Sequence, residues 1–233
     1  MRPTAHDISF SLFGFPTSIQ PFFWLIAVVI AALHVGPIDD NMPFWIAKLL
    51  LGMAGVLLAV LVHELGHAFS FRHLFKTPCE IILHGFGGAA VPLQHSPQHY
   101  GFRGAVARSF LAFSGPLAGF VLAFLMLALF QMTQSDRVSL FGFFLWWTAA
   151  ISIFWGILNL LPIYPMDGGH IAREIFVFSS PRRGVEFSLI FSMMFAALLA
   201  VLALRYNEIF IAFIFGYFAY MNYQDLSFRS FRR

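Results

Sequence analysis

Apolar windows of about twenty residues, bounded by charge, proline or glycine, recur along this sequence, and a bilayer admits such windows only with every backbone group satisfied internally. Six are found, at residues 21–35, 43–71, 105–132, 140–161, 187–204 and 209–223. The first is short, and the second carries Lys48 near its start, where a long side chain can snorkel to water. With 59% hydrophobic and 11% charged residues, the chain has too few polar side chains to cover a water-facing surface. The expected fold is therefore an all-α polytopic membrane protein of about six transmembrane helices. Residues 80–94 are apolar but too short to cross as a helix, and their glycines and β-branched residues favour extended or turning backbone. They are expected to form a short re-entrant or interfacial β segment between the second and third spans, with residues 8–19 extended at the interface in a similar way.

The charges orient this arrangement. Six spans with both ends on one side place every Lys and Arg there except Lys48, Arg137 and Arg205, out of 14 in all. Positive residues accumulate on the cytoplasmic face, so both termini are expected to be cytoplasmic. The basic residues form short clusters between apolar segments and no continuous stripe, which argues against nucleic acid as a partner. The N-terminus lacks the basic stretch and short apolar core of a signal peptide, and no cleaved presequence is expected. Cys79 is the single cysteine, which excludes an internal disulfide and a Cys-x-x-Cys site. The sequence is read as one membrane-embedded domain, 1–233, in an integral multi-pass protein suited to a prokaryotic inner membrane.

The chemistry lies at the end of the second window, in His63-Glu64-Leu65-Gly66-His67. On a helix, positions i and i+4 turn both imidazoles to one face, where they can hold one Zn2+. Glu64 lies beside that face and can take a proton from an attacking water and return it to a leaving amine. Two histidines and a glutamate following some fourteen apolar residues are costly in a bilayer and mark function. A catalytic zinc takes three protein ligands and keeps a fourth position open, so one ligand is missing. Asp167 is the leading residue, in Asn159-Leu-Leu-Pro-Ile-Tyr-Pro-Met-Asp-Gly-Gly-His170. Pro162 and Pro165 break the helix there, and Gly168 with Gly169 permit close backbone approach. The competing readings are Asp167 as the cap of a short helix and His170 as the ligand. His84, in the extended segment, can meet substrate or metal, whereas His34, His73, His95 and His99 have no useful spacing. Asn159 would need a partner in the membrane, either released backbone or a substrate's peptide group and developing oxyanion. Ser114-Gly-Pro-Leu-Ala-Gly119 places small residues on close faces of the third span, as tight packing against the catalytic helix requires.

Together, His-Glu-Leu-Gly-His in one span and Asn-Leu-Leu-Pro-Ile-Tyr-Pro-Met-Asp-Gly-Gly in a later one resemble the site-2 protease family of intramembrane zinc metalloproteases. The Ser-Gly-Pro-Leu-Ala-Gly stretch and the glycine-rich 85–88 segment resemble it too, so the likeness runs from about Val60 to Arg173. It implies one zinc held by His63, His67 and Asp167, with Glu64 as general base and Asn159 near the substrate. It also implies hydrolysis of peptide bonds in or near transmembrane segments, as regulated intramembrane proteolysis. Met166 stands where the family usually has leucine, an exchange conservative in size. Many members carry a PDZ or other soluble regulatory domain, and no room for one is expected here, which leaves substrate selection to the membrane part or to a regulatory membrane partner.

A substrate helix must unwind before it is cut. Pairing of the unwound strand with the edge of the 81–91 segment, against Gly87 and Gly88, is the expected means. Water is expected to arrive through the polar stretch that includes Gln94, His95, Gln98 and His99. The rival readings are a membrane metal transporter using the same histidines and an inactive relative that binds transmembrane helices.

Overall fold

The apolar windows fold as helices and the segments between them build a sheet. The structure is a computed structural model that describes residues 6–38, 41–85, 87–94 and 101–230. The chain runs β1 (Ile8–Leu12), β2 (Phe15–Ile19), α1 (Pro21–Val35), α2 (Met42–Leu74), β3 (Cys79–His84), β4 (Gly87–Pro92), α3 (Gly101–Met132), α4 (Leu140–Asn159), α5 (Asp167–Ser179), α6 (Gly184–Arg205) and α7 (Ile209–Ser230). Helices α2, α3, α4 and α6 are long and apolar enough to cross a membrane, and α1 is apolar but has only 15 residues. Expected as a sixth span, α7 has an apolar first half and then Asn222, Gln224, Asp225 and Arg229, which lower its mean hydropathy. The chain is thus mostly helical, with four candidate spans and a small sheet.

The β segment expected between the second and third spans is part of a larger sheet than the sequence suggests. The sheet has four strands in the order β1-β2-β3-β4, and two of them come from the N-terminus. Phe13 and Gly14 take positive φ of 50° and 78°, the geometry of a two-residue hairpin turn, and they set Leu12 opposite Phe15. Strand β2 then pairs in parallel with β3, Thr17 facing Ile81 and Ile19 facing Leu83. The two partners lie some sixty residues apart in sequence, with α1 and α2 between them. Parallel pairing requires such a crossover. The interior strand β3 is buried at Ile81, Ile82 and Leu83, the continuous apolar run expected of a strand covered on both faces. The glycine- and alanine-rich β4 forms one edge. His95, Gln98 and His99, expected to admit water, lie outside the described residues.

Tertiary contacts divide the chain into two compact units, Met1–Pro97 with Ser114–Ile157, and Gln98–Phe113 with Leu158–Arg233. In the first, Phe15, Phe23, Val60, Ile81, Leu83 and Trp147 belong to one apolar core. Gly52 lets α1 approach α2, since a Cβ there would stand 2.9 Å from the Ala31 methyl. Trp147 Nε1 donates to the Gly52 carbonyl at 2.9 Å, joining α4 to α2. Arg72, at the end of α2, stacks over Phe15 and donates to the Phe13 carbonyl at 2.8 Å, which ties the hairpin to the helix. In the second unit, Ile163, Ala196 and Phe215 are buried together, so the loop after α4 is packed into the α6–α7 hairpin. Arg108 and Glu174 form a two-pronged ion pair at 2.8 and 2.7 Å that anchors α5 to the first turns of α3.

Cys79 opens β3 at 1% exposure, and its Sγ faces the Ala68 carbonyl at 3.8 Å. Burial pushes the thiol up to about 11, against the pull of the nearby Arg72 charge. A thiol so placed is inert. The folded protein is therefore expected to resist maleimide at pH 7.5 and to take up one equivalent once unfolded; rapid labelling of the native protein would contradict this packing.

Candidate metal centre

Helix α2 carries its apolar character from Met42 almost to its end, then buries His63, Glu64 and His67 at 3, 4 and 9% exposure. One helical turn separates the histidines, and their Nε2 atoms stand 3.2 Å apart with the rings at 78°. Two nitrogens each about 2.0–2.1 Å from one tetrahedral zinc lie about 3.3 Å apart, so the pair has the spacing of two ligands on one ion. The same separation suits an N–H···N contact between a donor ring and an acceptor ring.

Glycines line this turn on two sides. A Cβ on Gly66 would collide with the Ser114 carbonyl, so α2 and α3 touch backbone to backbone. One residue on, a Cβ on Gly115 would collide with His67 Nε2 and stand 2.8 Å from His63 Nε2. Both ring nitrogens are therefore directed at a spot kept clear by the absence of one methyl group. The expectation that Ser114–Gly119 serves packing is met, and Gly115 does more by shaping the space in front of both imidazoles. That role was not read from the sequence. The signal was present, since Gly115 falls in the small-residue stretch beside the motif helix.

Glu64 faces the sheet. A Cβ on Gly88 would collide with Glu64 Cγ and stand 2.7 Å from Oε1, so β4 runs directly against the carboxylate. Gly87, with φ of 123°, lies against the Trp155 ring. That φ belongs to glycine. Trp155 was also missed as a support of this hairpin. His84 is the last residue of β3 and pairs with Gly87 across the turn. Burial lowers its pKa from the ordinary histidine value.

The other predicted residues belong to the second unit. Asn159 is the final residue of α4, half-buried. The helix stops there, and Pro162 and Pro165 occupy the loop as expected. Asp167 is the first residue of α5, not its cap; the cap position is held by Met166. A carboxylate at that end is stabilised by the helix dipole. Gly168 and Gly169 bring α5 onto the loop, where a Cβ would collide with the Leu160 carbonyl and with the Tyr164 amide. His170 is exposed and packs edge-on against Tyr164.

Residues 131–202 match the sequence description of Peptidase family M50. A protein of Methanocaldococcus jannaschii named zinc metalloprotease is 29% identical over 167 residues, covering 71% of this chain and 44% of that protein. Stage IV sporulation protein FB of Bacillus subtilis is 32% identical over 167 residues, 68% of this chain and 46% of the other. The chain thus spans less than half the length of these relatives. Among solved structures, the site-2 protease from Methanocaldococcus jannaschii superposes with a TM-score of 0.62 at 22% identity, covering 94% of this chain and 95% of that one, which shows a shared fold. The resemblance carried by the two motifs is borne out, the chain being related to the zinc metalloproteases of family M50, and the cofactor implied is Zn2+.

Because a Cβ on Gly115 would collide with His67 Nε2, Gly115→Ala is expected to displace the His67 ring and weaken zinc binding by about tenfold or more. Gly119→Ala, which would meet only the Ser152 carbonyl at 3.5 Å, is expected to bind as wild type. Chelator competition on the two purified variants checks the contrast.

Proposed function

We propose that this chain is an intramembrane zinc metalloendopeptidase of the site-2 protease type, hydrolysing peptide bonds in or near the transmembrane segments of membrane proteins. The observation that carries the reading is the buried His63–Glu64–His67 turn, with ligand nitrogens at zinc spacing and the catalytic carboxylate lying against an edge strand. Asp167 is the third ligand in this reading; its support is the motif, the donor chemistry and its place as the first residue of α5. Zinc, when bound, supplies Lewis acidity that makes water nucleophilic near neutral pH and polarises the scissile carbonyl.

The chain's own residues do the rest. Glu64 accepts the proton of the attacking water and delivers it to the leaving amine. At 4% exposure the carboxylate exchanges that proton with the reacting groups and little else. Strand β4 receives the unwound substrate as an added strand, and the missing side chain of Gly88 lets the scissile peptide lie close to Glu64. Asn159 orients the substrate's peptide group or stabilises the developing oxyanion, and His84, at the hairpin's end, contacts the substrate. The protein crosses the bilayer six times, with α1 and α7 added to the four long apolar helices and both termini cytoplasmic, in a prokaryotic inner membrane. Its substrate is a transmembrane protein, and selection rests on the membrane part or on a regulatory membrane partner.

Glu64→Gln is expected to bind about one zinc per chain, as wild type does, and to lose cleavage of single-span substrates by at least about a hundredfold. Metal content by mass spectrometry and cleavage in reconstituted vesicles read the two effects separately. A wild type that binds zinc, cuts nothing and moves the metal across the vesicle membrane would instead be a transporter. Replacing Gly87 and Gly88 with proline is expected to abolish cleavage with zinc retained, since Gly87's φ is closed to proline; cleavage that survives would remove the strand-addition role.

A further inference from the structure

The loop between α4 and α5 is gripped at a single residue, Tyr164, by two helices. The Tyr164 N–H donates to Ser192 Oγ at 3.2 Å, and the Ser192 hydroxyl donates to the Pro162 carbonyl at 3.3 Å. The Tyr164 carbonyl accepts from Asn222 Nδ2 at 2.7 Å, and the second hydrogen of that amide goes to the Phe218 carbonyl at 2.8 Å. Both neighbours of the amide are carbonyls, so only its nitrogen can face them and the side chain has one possible orientation. The ring is fixed as well, since the Arg173 guanidinium stacks over it at 3.9 Å. Ser192 and Asn222 are 0 and 1% exposed, and the intervening Ile163 is fully buried.

This grip is expensive for what it does locally. Asn222 sits in a largely apolar helix with its Oδ1 lacking a partner among the described residues, and a buried acceptor in that state carries a desolvation cost. A leucine of similar size would avoid that cost and leave one loop carbonyl to solve. What the amide secures is the place of the loop, and the loop is the seat of α5: Gly168 and Gly169 press the first turn of that helix onto Leu160 and Tyr164 with no space for a methyl group. Asp167 is the first residue of that turn and cannot move unless the turn moves.

We propose that Asn222 and Ser192 are positioning residues which, by holding the Tyr164 peptide from α7 and α6, set the position of the Asp167 carboxylate and through it the affinity for zinc. The proposal rests on the reading of Asp167 as the third ligand. Partners that orient a ligand typically contribute between tenfold and a hundredfold in metal affinity, and two groups on one peptide should act jointly.

The test uses the full chain in detergent micelles, with zinc dissociation constants from chelator competition and a melting temperature for each variant. Asn222→Leu and Ser192→Ala are each expected to weaken zinc binding about tenfold. Phe215→Ala, which removes packing from the same cluster without touching Tyr164, is expected to lower the melting temperature and leave zinc affinity unchanged. In an Asp167→Ala background, Asn222→Leu is expected to have no further effect on affinity. Folded Asn222→Leu and Ser192→Ala variants with wild-type affinity would overturn the proposal, as would the same tenfold loss in the Asp167→Ala background. Undiminished affinity in Asp167→Ala itself would overturn the ligand reading from which the proposal starts.

Discussion

Everything in the first unit is arranged around the cost of burying two imidazoles and a carboxylate on an apolar helix. Such groups away from water must find partners or a metal ion. The chain meets the need by bringing backbone close. Gly66 admits the Ser114 carbonyl, Gly115 faces the imidazole nitrogens and Gly88 faces the carboxylate. At each of these positions a single methyl group would occupy space that the site uses. The polar cluster is thus walled by a helix backbone on one side and a strand backbone on another, surroundings that hold side-chain rotamers more firmly than flexible side chains would.

The same constraint explains why a mostly helical chain builds a sheet. An irregular apolar segment at membrane depth leaves its backbone groups unsatisfied. Pairing β4 with β3, β3 with β2 and β2 with β1 satisfies all four strands on at least one side, β2 and β3 on both, and leaves β4 as an edge strand beside Glu64. The β1–β2 hairpin is itself held to α2 by Arg72, through the Phe13 carbonyl and the Phe15 ring. An N-terminal segment far from the motif in sequence therefore supports the strand on which the motif's carboxylate rests.

What the sequence made legible follows from the range of the interactions involved. The spacing of His63 and His67 is a property of one helical turn, and it places their nitrogens together whatever the tertiary packing. The end of α4 at Asn159 is equally local, set by Pro162 and Pro165. Strand pairing between residues 17–19 and 81–83 is not local, since nothing in either segment names its partner, and the expectation of two extended segments stopped short of joining them. Gly115 was assigned to packing because the sequence shows that a residue is small without showing what stands opposite. The sequence does not show that the His170 ring packs on Tyr164, nor that Met166 holds the cap position before Asp167.

Asn222 marks the limit of such reading from the other direction. In the sequence it is one amide in a tail that grows polar, with no motif around it. In the fold it is the most deeply buried polar group of α7 and donates both hydrogens to carbonyls, one of them in a loop 58 residues away. Polar residues within apolar helices are retained against their desolvation cost when they fix a geometry that packing alone leaves degenerate. Ile163 can be buried by the α6–α7 hairpin in many orientations of the loop, because apolar contact has no direction. Hydrogen bonds to both the N–H and the C=O of Tyr164 select one orientation, and the glycines that follow carry it without slack into the first turn of α5.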